Sequence, residues 1–252
     1  ALDIFERMQS ESLLPDAITV VCILRACGSR GAIERGKQIH GCWGFHEEDI
    51  VFGNALVDMY AKCGVLAKAE LVFKELPIQS ILSWNALIAG YVQQGQGYEA
   101  LNCFERMQSE GVDLDTITFV CVLKACSSTR SIDKGRQIHD EIVRRGLLAK
   151  ENMVIGVALV DMYAKCGVLE KAQEVFDVLP LRDVITWNAL MSGYARHEYG
   201  KEALKCFSHM QLEGVAPDVS TLVCGLKACA TIGDIDKGRE IHIEISRRGC
   251  LE

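Results

Sequence analysis

Apolar residues recur along this chain at steps of three and four. In the stretch Asn54–Cys63 the large apolar side chains fall at Leu56, Met59, Tyr60 and Cys63, one face of a helix. Gly64 follows, and glycine readily takes the left-handed backbone geometry that ends a helix. A second helix carries Leu66, Ala69, Val72 and Phe73 on one face, and Pro77 closes the pair. Residues 157–180 repeat the arrangement with Leu169, Ala172, Val175, Phe176 and Pro180. A unit around Trp84 predicts a longer second helix, with Ala100, Phe104 and Met107 inward and Gly111 after it. No run of alternating β-branched residues sits between hairpin signals. The pattern predicts an all-α chain of helix pairs.

The pairs are copies of one another. Ala55–Leu66, ALVDMYAKCGVL, recurs unchanged at Ala158–Leu169, 103 residues on, and WNAL at Trp84–Leu87 returns at Trp187–Leu190. LRAC at Leu24–Cys27 matches LKAC at Leu123–Cys126 and Leu226–Cys229. RGKQIH ending at His40 matches KGRQIH ending at His139 and KGREIH ending at His242. Repeats of this kind define a solenoid in which each unit buries its apolar face on its neighbours.

Composition sets limits on that picture. With 252 residues, 49% hydrophobic and only four prolines, the chain has ample apolar material for a continuous one-dimensional core. No apolar run approaches the roughly 20 residues that a membrane helix needs, so no membrane partner is expected. Its opening residues do not read as a signal or transit peptide, so none is expected within this stretch. Ala1-Leu2-Asp3-Ile4-Phe5 aligns with Ala100-Leu101-Asn102-Cys103-Phe104, so the chain reads as a piece of a longer array that starts in mid-repeat. Of twelve cysteines, ten recur at equivalent positions (22/121/224, 27/126/229, 63/166 and 103/206), and no Cys-x-x-Cys exists. They read as small buried hydrophobes, with no metal or other cofactor implied. His40, His139 and His242 are one repeated helix position, which favours packing over ligation.

The words WNALIAGYVQQGQGYEALNCFERMQSEG, NALVDMYAKCG and LKACSSTRSIDKGRQIH resemble pentatricopeptide repeats of the plant PLS subclass, in which P, longer L and shorter S repeats alternate. The resemblance covers essentially the whole chain. It divides it into a partial P repeat (1–16), then 17–49 (L), 50–80 (S), 81–115 (P), 116–152 (L), 153–183 (S), 184–218 (P) and 219–252 (L). It implies a right-handed α-solenoid of about fifteen helices.

Pentatricopeptide arrays bind single-stranded RNA at roughly one base per repeat. The resemblance implies that the fifth and last residues of each repeat form a reading pair. Carried over, the P repeats give Asn85 with Asp115 and Asn188 with Asp218, both uridine-preferring pairs. The first S repeat gives Asn54 with Ser80, similar to a cytidine-preferring pair. The second gives Val157 with Asp183, a departure that leaves its base open. The L repeats carry Val21, Val120 and Val223, which offer no hydrogen bond, and so act more as spacers. The footprint implied is C-U-n-n-U. The second residue of each repeat, implied to sit between neighbouring bases, is Ile18, Val51, Leu82, Ile117, Val154 and Ile185, with Ser220 breaking the row. The thirteenth, implied to meet phosphate, is Lys62, Lys165 and Arg196, with Gln93 in the other P repeat.

Each of these residues has a plainer reading. An isolated Asn at the head of a helix is ordinarily a cap. A lone Lys is ordinarily a solvated charge, and branched aliphatics can be core. It is the recurrence of Asn with a distant Asp in each P repeat that favours base reading. Charge argues the other way, since 27 basic against 34 acidic residues leave a formal −7. The acidic residues Glu47–Asp49, Glu174, Glu202 and Asp234 fall in second helices and loops, however. Arg25, Lys62, Lys124, Lys165 and Lys227 fall in first helices, the concave face of such an array, where a local positive groove can form.

No catalysis is expected from this stretch. A zinc deaminase needs His-x-Glu followed by Cys-x-x-Cys, and His139-Asp140-Glu141 and His242-Ile243-Glu244 match only the first half. The resemblance implies an RNA-binding specificity factor for editing or related processing in a mitochondrion or chloroplast. Its partners would be single-stranded RNA and editing cofactors or a deaminase that supplies the chemistry. The alternative is a protein-binding helical scaffold of the tetratricopeptide kind, which would want repeated polar clamps instead of Asn/Asp pairs.

Overall fold

The computed structural model describes residues 2–11, 13–43, 50–148 and 152–247. The acidic run Glu47–Asp49, Ala1 and Cys250 lie outside them. Among the described residues there are fifteen helices and no strand. In order they are α1 (Leu2–Ser10), α2 (Ala17–Arg30), α3 (Ile33–Trp43), α4 (Ile50–Lys62) and α5 (Leu66–Glu75). Then come α6 (Ile81–Gln93), α7 (Gly97–Ser109), α8 (Thr116–Thr129), α9 (Ile132–Arg144) and α10 (Met153–Lys165). The last are α11 (Leu169–Val178), α12 (Val184–Arg196), α13 (Gly200–Leu212), α14 (Val219–Ile232) and α15 (Ile235–Arg247). The fold is an all-α helical-repeat solenoid.

Local chemistry sets the helix ends. Asp16, Ser80, Asp183 and Asp218 cap α2, α6, α12 and α14, each side chain accepting from the backbone N–H three residues on. Gly64 and Gly167, with φ of 77° and 81°, end α4 and α10. The next residue's N–H then reaches back, Val65 to Tyr60 O at 2.9 Å and Val168 to Tyr163 O at 3.0 Å. The unchanged word ALVDMYAKCGVL therefore folds the same way twice.

The chain divides into two compact units, Ala1–Ala125 and Cys126–Glu252. Within the first, α2, α4 and α6 pack side by side, with α3, α5 and α7 laid against them. Within the second, α10, α12 and α14 make the equivalent layer, with α11, α13 and α15 against it. Helices of the first-helix layer are enclosed by neighbours on several sides. In α4, Phe52, Gly53, Ala55, Leu56, Val57, Met59, Tyr60 and Ala61 are all buried. That is more than the single face the spacing predicts, as expected for a helix with partners all round. The second helices keep one apolar face: Leu66, Ala69, Val72 and Phe73 are buried in α5, and Ala100, Phe104 and Met107 in α7.

Close approach explains one recurrent glycine. A Cβ on Gly90 of α6 would lie 2.6 Å from the Ala61 Cβ of α4, and one on Gly193 2.5 Å from Ala164 Cβ. Edge-to-face pairs tie second helices to the following first helix, Phe73 with Trp84 at 4.5 Å and Phe176 with Trp187 at 4.6 Å.

Two of the three repeated histidines pack, while His242 is exposed, contrary to the expectation for that position. His40 and His139 each lie 2.9 Å through Nδ1 from a tyrosine hydroxyl of the next first helix, Tyr60 and Tyr163. Burial, aided by Lys68 and Lys171 respectively, holds both imidazoles below their ordinary pKa. The cysteines divide, contrary to the expectation that all are buried. Cys27, Cys103, Cys126, Cys206 and Cys229 are buried, but Cys22 and Cys42 are exposed and Cys63, Cys121, Cys166 and Cys224 lie between. Five residues on a helix is more than one turn, so the first member of each pair in 22/27, 121/126 and 224/229 swings away from the core. Burial pushes the Cys126 and Cys206 thiols up to about 12, which leaves them inert at neutral pH.

Candidate nucleic-acid interface

The paired residues of the P repeats meet. Asn85, in the second turn of α6, donates from Nδ2 to Asp115 Oδ1 at 3.0 Å. Asn188, at the same place in α12, donates to Asp218 Oδ1 at 2.9 Å. Asp115 immediately precedes α8, and its Oδ1 also accepts from Thr118 N at 2.8 Å and Thr118 Oγ1 at 2.9 Å. Asp218 Oδ1 accepts the same pair of bonds from Thr221, at 2.8 and 2.9 Å. Capping thus belongs to the aspartates and not to the asparagines. The two residues of a pair lie far apart in sequence, but the first helix of one repeat lies against the start of the next.

The electrostatics follow from these bonds. Burial alone would raise the pKa of Asp115, but the N–H and hydroxyl of Thr118 and the amide of Asn85 outweigh it and hold the carboxyl below its ordinary value. Asp218 is lowered against the same opposing burial, by Thr221 and Asn188. Both aspartates are anions at neutral pH and can only accept hydrogen bonds. Asn85 is 5% exposed, the more enclosed of the two asparagines.

The S repeats differ. Ser80 Oγ donates to Asn54 Oδ1 at 3.3 Å, so this pair also meets, through a hydroxyl. Asp183 accepts from Thr186 N at 2.9 Å and Thr186 Oγ1 at 2.7 Å, while Val157 offers it no hydrogen bond. Val21 and Val120 are half-buried and Val223 is exposed.

Val51, Leu82, Ile117, Val154 and Ile185 are between 56 and 63% exposed. The reading that makes them core residues is therefore wrong: each sits at the outer edge of the first turn of its helix. Lys62 and Lys165 do lie on first helices, but each holds an aspartate of its own helix, Asp58 and Asp161, both at 2.7 Å. These two aspartates set negative charge on the first helices as well, beside the lysines expected to form a positive groove there. Arg196 is exposed in the last turn of α12.

Thr118 and Thr221 were not picked out from the sequence. Their signal is a spacing: Asp16-x-x-Thr19, Ser80-x-x-Ser83, Asp115-x-x-Thr118, Asp183-x-x-Thr186 and Asp218-x-x-Thr221 recur at repeat junctions. It is a capping spacing, and the third residue is buried each time except at Thr19.

Fold and paired junctions together define a helical-repeat protein in which each compact unit carries a polar Asn/Asp pair at a repeat junction. The PPR repeat family matches residues 79–128 and 182–231, and the PPR repeat matches 54–78, 117–147 and 157–184. The chain belongs to the pentatricopeptide repeat family. Pentatricopeptide repeat-containing protein At4g38010 of Arabidopsis thaliana is 40% identical over 98% of this chain and 44% of its own length. The chloroplastic protein At1g11290 of the same plant is 39% identical over 96% of this chain and 30% of its own. The chain thus spans less than half the length of these relatives. The crystal structure of the pentatricopeptide repeat protein PPR10 in complex with an 18-nt psaJ RNA element superposes with a TM-score of 0.77, at 18% identity, over 95% of this chain and 36% of that one.

Proposed function

We propose that this chain binds single-stranded RNA, with the junction pairs reading bases in the order C-U-n-n-U. The observation that carries the reading is the Asn–Asp–Thr network, built identically at Asn85/Asp115/Thr118 and Asn188/Asp218/Thr221. Exposed branched aliphatics beside it offer faces on which bases can stack. The RNA-bound relative of the same fold supports the choice of ligand.

The chemistry matches uracil. A bonded Asn amide retains one N–H donor, and an ionised Asp retains acceptor capacity on its second oxygen. Uracil offers the complement, a carbonyl acceptor beside an N3–H donor. Cytosine carries an acceptor at N3, which a carboxylate cannot serve; at the Asn54/Ser80 pair the Ser80 hydroxyl hydrogen is taken by Asn54 Oδ1, and the Asn54 amide N–H groups supply the donor. Ile18, Val51, Leu82, Ile117, Val154 and Ile185 would separate neighbouring bases, and Lys62, Lys165 and Arg196 would position the backbone.

The alternation of ten-residue second helices (α5, α11) with thirteen-residue ones (α7, α13) supports the PLS assignment and its repeat boundaries. We assign the chain to target selection in organellar RNA editing or processing, a placement supported by relatives named chloroplastic. Catalysis belongs to another domain or to a recruited deaminase.

The test is a titration at stated salt with an RNA carrying C-U-n-n-U in an A-rich frame, against one with both uridines changed to guanosine. Preference for the uridine strand, lost in Asn85→Ala plus Asn188→Ala, is expected. Equal binding of both strands overturns base reading, and no binding at low salt favours the protein-scaffold alternative.

A further inference from the structure

The hydroxyl of Thr118 lies 2.7 Å from Asn85 Oδ1 and 2.9 Å from Asp115 Oδ1, while Asn85 Nδ2 donates to that same Asp115 oxygen. Three side chains close a ring of hydrogen bonds. Thr221 repeats it, at 2.6 Å from Asn188 Oδ1 and 2.9 Å from Asp218 Oδ1. One hydroxyl hydrogen serves two oxygens, and the shorter contact in both copies is to the amide. A flipped amide would set Asn85 Oδ1 against a carboxylate oxygen, acceptor against acceptor. The ring therefore admits one orientation only.

We infer that Thr118 and Thr221 are positioning residues for base recognition, locking the Asn85 and Asn188 amides so that a single N–H is left to the base. The inference rests on the base-reading proposal above. Each threonine is the third residue of the following repeat, so a repeat's preference is set by three residues drawn from two units. The S junctions show what the ring adds. Thr186 bonds Asp183, but the fifth residue of that repeat is Val157 in place of an Asn and can accept no hydrogen bond from it. Ser83 Oγ donates to the backbone O of Ser80 at 2.8 Å, leaving Asn54 held by Ser80 Oγ at 3.3 Å. Among the described residues, a closed ring forms where Asn, Asp and Thr coincide. Uracil and cytosine differ at this edge by exchange of donor and acceptor, so a free-swinging amide loses the distinction.

The experiment compares the C-U-n-n-U strand with C-C-n-n-C for the unaltered chain, Thr118→Val/Thr221→Val and Thr118→Ser/Thr221→Ser. Valine keeps the shape without the hydroxyl, and serine keeps the hydroxyl. The expected result is a uridine preference reduced about tenfold or more by valine, the scale of one oriented base contact, and retained by serine. Preference kept by valine, or lost in both, overturns the inference. An unaltered chain with no preference refutes base reading itself, which is a distinct outcome. Should the valine protein melt below the assay temperature, hydrogen exchange at the Asn85 side-chain amide in the unaltered chain decides. One slowly exchanging hydrogen is expected, and two at the solvent rate contradict a locked amide.

Discussion

Asn85 reaches across 30 residues of sequence to donate to Asp115, and in doing so joins a first-helix amide to the cap of the next first helix. On the proposed reading, recognition and folding share one carboxylate. Asn188 and Asp218 do the same in the second copy.

That sharing separates two substitutions. Asp115→Ala removes a cap and is expected to lower stability by about 1 kcal/mol, within the roughly 0.5–2 kcal/mol such losses show. Asp115→Asn keeps a capping oxygen and is expected to stay within about 0.5 kcal/mol of the parent. Urea titration of the three proteins checks this. Equal losses in both would remove the cap from the account.

Gly90 and Gly193 are held by their neighbours and not by backbone freedom. Gly90→Ala drives a methyl to 2.6 Å from the Ala61 Cβ, which cannot rotate away. Overpacking of about 1–3 kcal/mol is expected to exceed the gain of about 1 kcal/mol from helix propensity. Thermal melts of Gly90→Ala should show a lower midpoint, and a raised one would mean that α4 and α6 pack less closely.

Acid should destabilise the chain in two stages. His40 and His139 titrate below 6.5 in the fold, so the unfolded state binds more protons there, and stability falls as pH drops from 6.5 through the lowered folded values. Asp115 and Asp218 are lowered from 3.8, so their contribution is full above that value and is lost as pH falls through their folded ones. Melting temperature against pH checks both, and His40→Gln with His139→Gln should erase the first stage alone.

Much of this architecture was legible in the sequence. The word ALVDMYAKCGVL carries its own helix, glycine stop and second helix, so periodicity and punctuation sufficed for α4, α5, α10 and α11. Single-face periodicity could not show that α4 is enclosed on several sides, because burial there comes from helices distant in the chain. The register brought Asn85 to Asp115, but Thr118 was missed since a capping spacing looks purely local. The charges of Lys62 and Lys165 were legible, yet Asp58 and Asp161 one turn away on the same helices were overlooked.

Those aspartates give a prediction of their own. Asp58→Asn with Asp161→Asn frees both lysines and removes two negative charges from the first helices. RNA affinity should rise, and log K against log salt should steepen by about 0.7 for each lysine that takes up a phosphate. Stability should fall by about 0.3–0.5 kcal/mol for each lost helix pair. An unchanged slope would mean that these lysines do not meet phosphate.

Recoding the P junctions tests base reading most directly. Asp115→Asn with Asp218→Asn turns an acceptor toward the base into a group that can donate, which fits N3 of cytosine. Affinities of the parent and this variant for C-U-n-n-U and C-C-n-n-C form a closed cycle. The account predicts a crossover, the parent favouring uridine and the variant shifting toward cytidine, with the two sites coupled to the two bases. Parallel changes on both strands, with no coupling, would contradict base reading by these pairs.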